Sequence, residues 1–566
     1  MVFAVLHHPY GLLCLLPPVA TILLAIATRR IVLSLLIGIY GGALITTGGH
    51  PWRALCELLE IHLWKTLVDE SRLRVFAFTL LMGAMVGVIH ASGGMQGLVL
   101  VVERWANSRR RGQLVAWTLG MLIFFDDYAN TVLLGTTLRP LTDRLRISRE
   151  KLAFLVDSTA APVAGLAVVS TWVAGEVSYV QDGLNKVAGG ETVNAFQLFI
   201  ATLPYRFYLL WTLLFVFFVA WLDRDFGPML RAERRARQGT PADIPVPDAA
   251  PDHQADRRGT GHLAMARPEL PARMPRSHDP HLWYLAVVPV LLTVGSVLGT
   301  LYASGMQEVN DPQAAWSQIF GAADSYYALV WSSLAGLVCA AALAWGCGAL
   351  DRFEIGRSAR GGAELMLPSL IILWLASTLS NMTGNKTYTG AAAPTYSLEY
   401  RLYTGEYCGE QLTARPEWSN ALRRLAPTVI FVLASFVSFA TGTSWGTMAI
   451  VMPMAIPLVF GLLPSKGVAS AFADPIMLGS MGSVLAGAIF GDHCSPISDT
   501  TILSSQSSGC DHLAHVWTQL PYAATVAGIT ILVGTLPVGL GVPVGILLPC
   551  GALALWAIVR LAGRQE

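Results

Sequence analysis

The chain has 566 residues, of which 54% are hydrophobic and only 13% charged, with a formal net charge of +1. A soluble protein carries about 25% charged residues, so water does not solvate most of this surface, and the near-neutral balance argues against nucleic acid as a partner. The eight cysteines are scattered, several inside apolar runs, which argues against a disulfide framework.

Along the chain, Met1–Pro9 holds no Lys or Arg ahead of the first apolar run and reads as the approach to a first span, not as a cleaved signal. Leu12–Thr28, Ile31–Thr46, Val75–Ser92, Leu198–Leu222, Leu282–Ala303 and Tyr326–Leu350 are almost free of charge. Each is about long enough for a helix to cross a bilayer. Lipid offers no hydrogen-bond partners, so such stretches must satisfy their backbone internally as helices. Period-2 alternation is absent, which argues against a β-barrel. The expected fold is an all-α polytopic membrane protein with about 10–13 membrane segments.

Basic clusters at Arg29–Arg30, Arg104–Arg111, Arg139–Lys151, Arg224–Arg276, Arg352–Arg360 and the C-terminal Arg560 and Arg564 belong in the cytoplasm by the positive-inside rule. The stretches around Glu176–Glu191 and Tyr302–Asp324 are poor in positive charge and are expected outside. Cys56–Arg74 is mixed and reads as a loop. One apolar segment, Leu114–Leu138, separates two basic clusters, so a single crossing would put one of them on the wrong face. A re-entrant hairpin over 112–138, turning near Asp126–Asn130, removes the conflict, and such a turn is tolerated only where it is buried or lines a wet cavity.

The N-terminal transmembrane half, 1–222, then continues into a broken helix over 152–172, interrupted at Asp157–Pro162. The C-terminal half, 282–566, repeats the order. A hairpin over 425–463 turns at Thr441–Thr447, and a broken helix over 475–508 is interrupted at Gly491–Thr500. Hairpin followed by broken helix, twice and in opposite orientation, is the pattern of an inverted-repeat transporter with its site at the midplane. Between the halves, 223–281 is rich in Pro, Arg and Asp and reads as a cytoplasmic disordered linker. The insertion 383–424 is long for a connection, and its length allows a small external cap.

The chemistry concentrates in the polar breaks. Asp126 and Asp127 are adjacent carboxylates in an apolar segment, costly there unless paired, protonated or cation-bound. A turn at the cytoplasmic surface that solvates both is the alternative. A buried carboxylate holds either a proton or a sodium ion, and that competition is the core of proton/sodium exchange; Asn130 adds a neutral oxygen. Asp157 reads either as part of an unwound, cavity-lining stretch or as a capping motif. Asp492 and Asp499 bracket Ser495 and Ser498, with Thr500 following, which together offer the oxygen ligands a hard cation takes. Thr443, Ser444 and Thr447 add hydroxyls at the second turn. His493 with Cys494, and Cys510 with His512 and His515, lack the spacing of a closed zinc site. No cofactor is expected; sodium is the only metal, as cargo at these same residues.

Three strings, FFDDYANTVLLGTTLRPLTDRLRISREKLAFLVDSTAAPVAGLAVVSTW (Phe124–Trp172), FATGTSWGTMAIVMPMAIPL (Phe439–Leu458) and GDHCSPISDTTILSS (Gly491–Ser505), resemble the NhaC family of sodium/proton antiporters. The resemblance covers about a third of the chain directly. It implies cation/proton antiport, membership of the wider ion transporter superfamily, an elevator-type transporter and a homodimer. The excess of arginine over lysine and the absence of eukaryotic targeting signals give the bacterial cytoplasmic membrane as the expected location. The residues that fall in the motifs are Asp126, Asp127, Asn130 and Asp157; Thr443, Ser444 and Thr447; and Asp492, Ser495, Ser498, Asp499 and Thr500. The linker and the insertion are larger than the family pattern, and the family includes organic-acid exchangers of malate/lactate type.

Sodium (or lithium) exchange for protons is therefore the first expectation. Sodium- and proton-coupled exchange of an organic anion, or amino-acid transport, is the alternative, and a buried arginine facing the site would favour it; the sequence places none clearly in the core. A membrane hydrolase using the Gly491–Thr500 tract is a third reading, but an enzyme has no need of a duplicated inverted site.

Overall fold

A computed structural model of the chain describes residues 9–28, 30–187, 189–238, 280–311, 319, 322–383, 400–404, 407, 416–464 and 467–565. Helices dominate, and among the described residues the one bridge of strand type joins Asp225 to Arg564. In chain order the helices are α1 (Leu16–Thr28), α2 (Ile31–Thr46), α3 (Pro51–Leu67), α4 (Glu70–Ala91), α5 (Gly94–Glu103), α6 (Arg109–Leu122), α7 (Asp127–Arg144), α8 (Arg149–Ala164), α9 (Val173–Leu184), α10 (Ala195–Tyr205), α11 (Phe207–Leu222) and α12 (Gly227–Gln238). After the junction come α13 (Tyr284–Val309), α14 (Ser325–Gly346), α15 (Arg352–Leu365), α16 (Leu367–Met382), α17 (Pro416–Thr441), α18 (Ser444–Leu462), α19 (Pro475–Cys494), α20 (Asp499–Ser508), α21 (His512–Gly539) and α22 (Val544–Ala562). Among the described residues nine helices are long and apolar enough to cross a membrane, or up to eleven if each bent pair is one span. The chain is an all-α multi-pass membrane protein.

The sequence explains the main boundaries. Ser108 and Ser148 accept hydrogen bonds from the third residue of α6 and of α8 respectively, and Asp351 with Glu354 forms a reciprocal capping box at α15. Pro51 opens α3 at its first position, where a missing N–H costs nothing. Helix α3 is bent by 118° from α2, so part of the mixed stretch expected as a loop, Cys56–Leu67, is helical.

Both halves contain a helix pair with a short turn followed by an interrupted helix. In the first half α6 and α7 are joined at residues 123–126, and the two ends of the pair meet, since Arg109 at the start of α6 donates to the carbonyl of Arg146 just past α7. The two ends of the pair therefore lie side by side. In the second half α17 and α18 turn at Gly442–Thr443, where Gly442 takes a positive φ of 68° and has the Ile497 backbone against it. Residues Asn420–Thr441 and Ser444–Leu462 are each long enough to span alone.

Three boundaries differ from the sequence expectation. The first interruption is not at Asp157–Pro162, which lies inside α8, but at residues 165–172 between α8 and α9. Pro162 sits in the last turn, where it removes a single hydrogen bond, and the helix closes at Gly165 with N–H bonds back to Ala161 and Val163. The linker does not begin at residue 223: Asp225 to Gln238 are ordered, α12 packs on α8 and α21, and Asp225 accepts from Lys151 and from Tyr522 at 2.6 Å. The four arginines of this stretch masked an amphipathic helix whose Met229, Ala232 and Glu233 face inward. The rest of the linker, 239–279, lies outside the described residues. Likewise 416–424 of the expected insertion is the first part of α17, while 384–399 and 408–415 lie outside the described residues.

Candidate functional site

Helix α19 is buried along almost its whole length and carries Asp492 and His493 in its last turn. A carboxylate there faces the negative end of the helix macrodipole, so it needs donors from elsewhere. The chain supplies them at once. Helix α19 stops at Ser495, Pro496 prevents simple continuation, and Ser498 caps α20 by accepting from the N–H of Thr501. That turn returns Ser498 Oγ to Asp492 Oδ1 at 2.8 Å and Thr500 Oγ1 to Asp492 Oδ2 at 2.7 Å, with the two hydroxyls 3.2 Å apart. Asp492 is 2% exposed.

Asp157, fully buried in mid-α8, meets the other side of α20. Ser504 donates to Oδ1 at 3.0 Å, and Thr501 approaches Oδ2 at 3.4 Å while also bonding the Asp492 carbonyl at 3.2 Å. From α21, Gln519 donates to Asp157 Oδ2 at 2.5 Å and to the His493 carbonyl at 3.0 Å. His515, one turn earlier on the same face, places Nε2 at 3.6 Å from Asp157 Oδ2, longer than a hydrogen bond. Behind His493, Tyr208 of α11 lies 3.1 Å from Nδ1. The result is a buried, oxygen-rich region built from α8, α19, α20 and α21, with one carboxylate from each half of the chain.

The turn of the first helix pair forms a second region. Asp126 and Asp127 are each 2% exposed, and Asn130 is fully buried. The Asn130 amide donates to the carbonyls of Gly120 and Ile123 at 2.9 and 3.0 Å, which holds the non-helical turn in place. The Phe125 carbonyl accepts the N–H of Thr171, in the first interruption, at 2.9 Å. The second half matches this, since the Phe439 carbonyl accepts Ser495 Oγ, in the second interruption, at 2.8 Å. Each hairpin turn is thus tied to the interruption that follows it. The halves also interlock: Trp172 of the first interruption packs on Trp445 at the second turn, with ring centroids 5.5 Å apart.

Of the residues singled out in the sequence, Asp157, Asp492, Ser498 and Thr500 come together, and Ser495 ties the second turn. Asp126, Asp127 and Asn130 gather at the first turn instead. Thr443 caps Gly446, Thr447 bonds the Thr443 carbonyl at 2.9 Å, and Ser444 is buried in the first turn of α18. The first two therefore serve the α18 terminus, not the carboxylates. Asp499 opens α20. Thr501, Ser504, His515 and Gln519 join the cluster without having been ranked by the sequence. Gln519 had a legible signal, being a polar side chain four residues after His515 in an apolar helix. Among the described residues no three of His, Cys, Asp and Glu are placed to hold one metal ion. Contrary to expectation, arginines are buried in the core. Arg206 pairs with Glu176 at 2.8 Å, and Arg72 pairs with Asp182. Glu176, expected in an external loop, lies in the first turn of buried α9.

The sequence pattern of the Na+/H+ antiporter family matches residues 163–391 and 410–540. The chain belongs to that family. The match takes in both interruptions and the Asp492–Gln519 side of the cluster, in accord with the NhaC resemblance of the motifs. A Haemophilus influenzae relative named only as an uncharacterized protein is 29% identical over 525 residues, 91% of this chain and 89% of that one. A second protein of the same organism, named an uncharacterized Na(+)/H(+) antiporter, is 35% identical over 121 residues, 20% of this chain and 24% of its own. The malate-2H(+)/Na(+)-lactate antiporter of Bacillus subtilis is 38% identical over 105 residues, 18% of this chain and 20% of its own. Membership makes this family member a secondary transporter.

Proposed function

We propose that the protein exchanges sodium for protons across a bacterial cytoplasmic membrane, and that the two ions compete at Asp157 and Asp492. The observation that carries this reading is Thr501, whose hydroxyl bridges a carboxylate of the first half and the Asp492 backbone of the second. Two buried carboxylates with hydroxyl partners form an oxygen cage suited to a hard monovalent cation. When both carboxylates are charged, they attract sodium in a medium where charge is costly to leave uncompensated. When either is protonated, the attraction falls and sodium leaves. Movement of the α8–α19–α20–α21 assembly relative to the rest of the chain would expose the cage to each side in turn, in the manner of an elevator, within a homodimer. Lithium is an expected second cargo because it takes the same oxygen ligands.

The test is sodium-dependent proton movement in everted vesicles or proteoliposomes. Sodium addition should dissipate a preformed pH gradient in the wild type. Asp157→Asn and Asp492→Asn should abolish the response, whereas Asp126→Asn and Asp127→Asn report on the first turn. A wild type with no sodium-linked proton flux would sink the reading. The similarity to a malate-2H(+)/Na(+)-lactate antiporter supports a second reading, sodium- and proton-coupled exchange of a small organic acid. It requires that malate, lactate or an amino acid stimulate the flux.

A further inference from the structure

The two interruptions are built alike, but groups of opposite charge stand at the carbonyl ends of their first half-helices. At the second, the last turn of α19 holds the carboxylate of Asp492. At the first, the equivalent carbonyl end of α8 is met by a guanidinium. Arg206, at the 47° bend between α10 and α11, is 1% exposed and donates Nη1 to the Gly165 carbonyl that ends α8. Its Nη2 donates to Thr202 Oγ1 at 3.1 Å, its face stacks on Phe199 at 4.6 Å, and it pairs with Glu176 at 2.8 Å. Glu176 belongs to the first turn of α9, the half-helix on the far side of the interruption. The arrangement puts a cation against the negative end of one half-helix and an anion against the positive end of the next, each favoured by the macrodipole it faces.

We propose that Arg206 is a resident cation: its guanidinium fills the carbonyl end of the first interruption and excludes sodium from it, so that this half of the duplicated architecture carries no transported ion there. The proposal extends the antiport reading and rests on it. Removing the guanidinium leaves the Glu176 carboxylate, the Gly165 carbonyl and the Thr202 hydroxyl around the vacated volume. These are three oxygen donors with an uncompensated buried charge, which a protein does not tolerate without a counter-ion or a proton. A sodium ion is the cation present in quantity, and the donors are of the type it takes.

The experiment is equilibrium binding of radioactive sodium to the purified full chain, with exchange measured in proteoliposomes. Arg206→Ala is expected to bind one more sodium ion per chain than the wild type. Arg206→Ala combined with Glu176→Gln is expected to return to the wild-type count. A monodisperse Arg206→Ala protein with the wild-type count overturns the proposal. Should that variant not fold, Glu176→Gln combined with Arg206→Met replaces the ion pair by neutral groups of similar shape. It is expected to keep the wild-type sodium count and exchange, because the pair takes no part in transport. Loss of exchange in a folded double variant would instead show that the pair takes part in transport and overturn the proposal. Absence of sodium binding in the wild type would contradict the antiport reading itself, a separate outcome.

Discussion

The side-chain amide of Gln519 donates to Oδ2 of Asp157 at 2.5 Å, across 362 positions of sequence. The same nitrogen reaches the His493 carbonyl at 3.0 Å, so one side chain ties α21 to both carboxylate-bearing helices. A hydrogen bond to a charged group contributes about 1.5–3 kcal/mol. Gln519→Leu should therefore lower sodium-dependent proton flux by roughly tenfold to a hundredfold at subsaturating sodium, with protein levels in the membrane unchanged. Flux equal to that of the wild type would show that Asp157 does not depend on this donor.

Arg72 and Asp182 form an ion pair between α4 and α9, completed by donation from Arg72 to Ser178 and from Ser377 to Asp182 at 3.0 Å. Both side chains are almost fully buried. Asp182→Asn leaves a guanidinium without its counter-charge, and such a loss costs about 3–5 kcal/mol. The expected result is a markedly lower unfolding temperature in detergent, followed by tryptophan fluorescence. Arg72→Met together with Asp182→Leu should recover most of it. An unchanged melting temperature for Asp182→Asn would refute the structural role.

Glu233 of α12 accepts the N–H of Ser148 at 2.8 Å and pairs with Arg109, yet burial, followed by repulsion from Asp225, pushes its carboxyl above the usual range. A carboxyl raised by folding binds its proton more tightly in the folded state. The stability it contributes is complete below the ordinary glutamate value of about 4.3 and is lost as pH rises through the raised folded value. Glu233→Gln stays neutral, so the melting temperature of the wild type relative to this variant should fall as pH is raised from acid to neutral. A constant difference across that range would show that Glu233 does not titrate differently on folding.

Helices α4 and α15 touch backbone to backbone. A Cβ built on Gly362 would stand 2.1 Å from the Gly83 carbonyl oxygen and 2.9 Å from the Gly87 Cα, so something must separate. Gly362→Ala should destabilise the protein by about 1–3 kcal/mol, the usual cost of overpacking. Gly361→Ala, with nothing within 4 Å of the added atom, is the matched control. Equal melting temperatures for the two variants would contradict the close approach.

The class of fold was legible because lipid imposes it: missing charge and apolar runs leave helices as the solution. The first helix pair was legible because the charges of Arg109–Arg111 and Arg139–Lys151 could not both be satisfied by a single crossing. The interruption at residues 165–172 was misplaced because Pro162 advertises a break more loudly than the stretch where the helix ends. Half of the carboxylate cluster was readable, since Asp492, Ser498 and Thr500 lie within one tract. The rest was hidden by distance in sequence. Nothing local joins Asp157 to Ser504, His515 and Gln519, and a buried Arg206 next to an apolar span reads as a boundary until Glu176 is seen beside it.

Among the described residues, the side chains that donate to Asp157, namely Thr501, Ser504 and Gln519, all come from the second half of the chain. An N-terminal half that has left the ribosome while the remainder is still being made therefore has no cage to offer. Under the proposed mechanism, a truncated or half-synthesised product cannot leak sodium through this position, and the cell's ion gradients are exposed to the protein only once its last helices have docked.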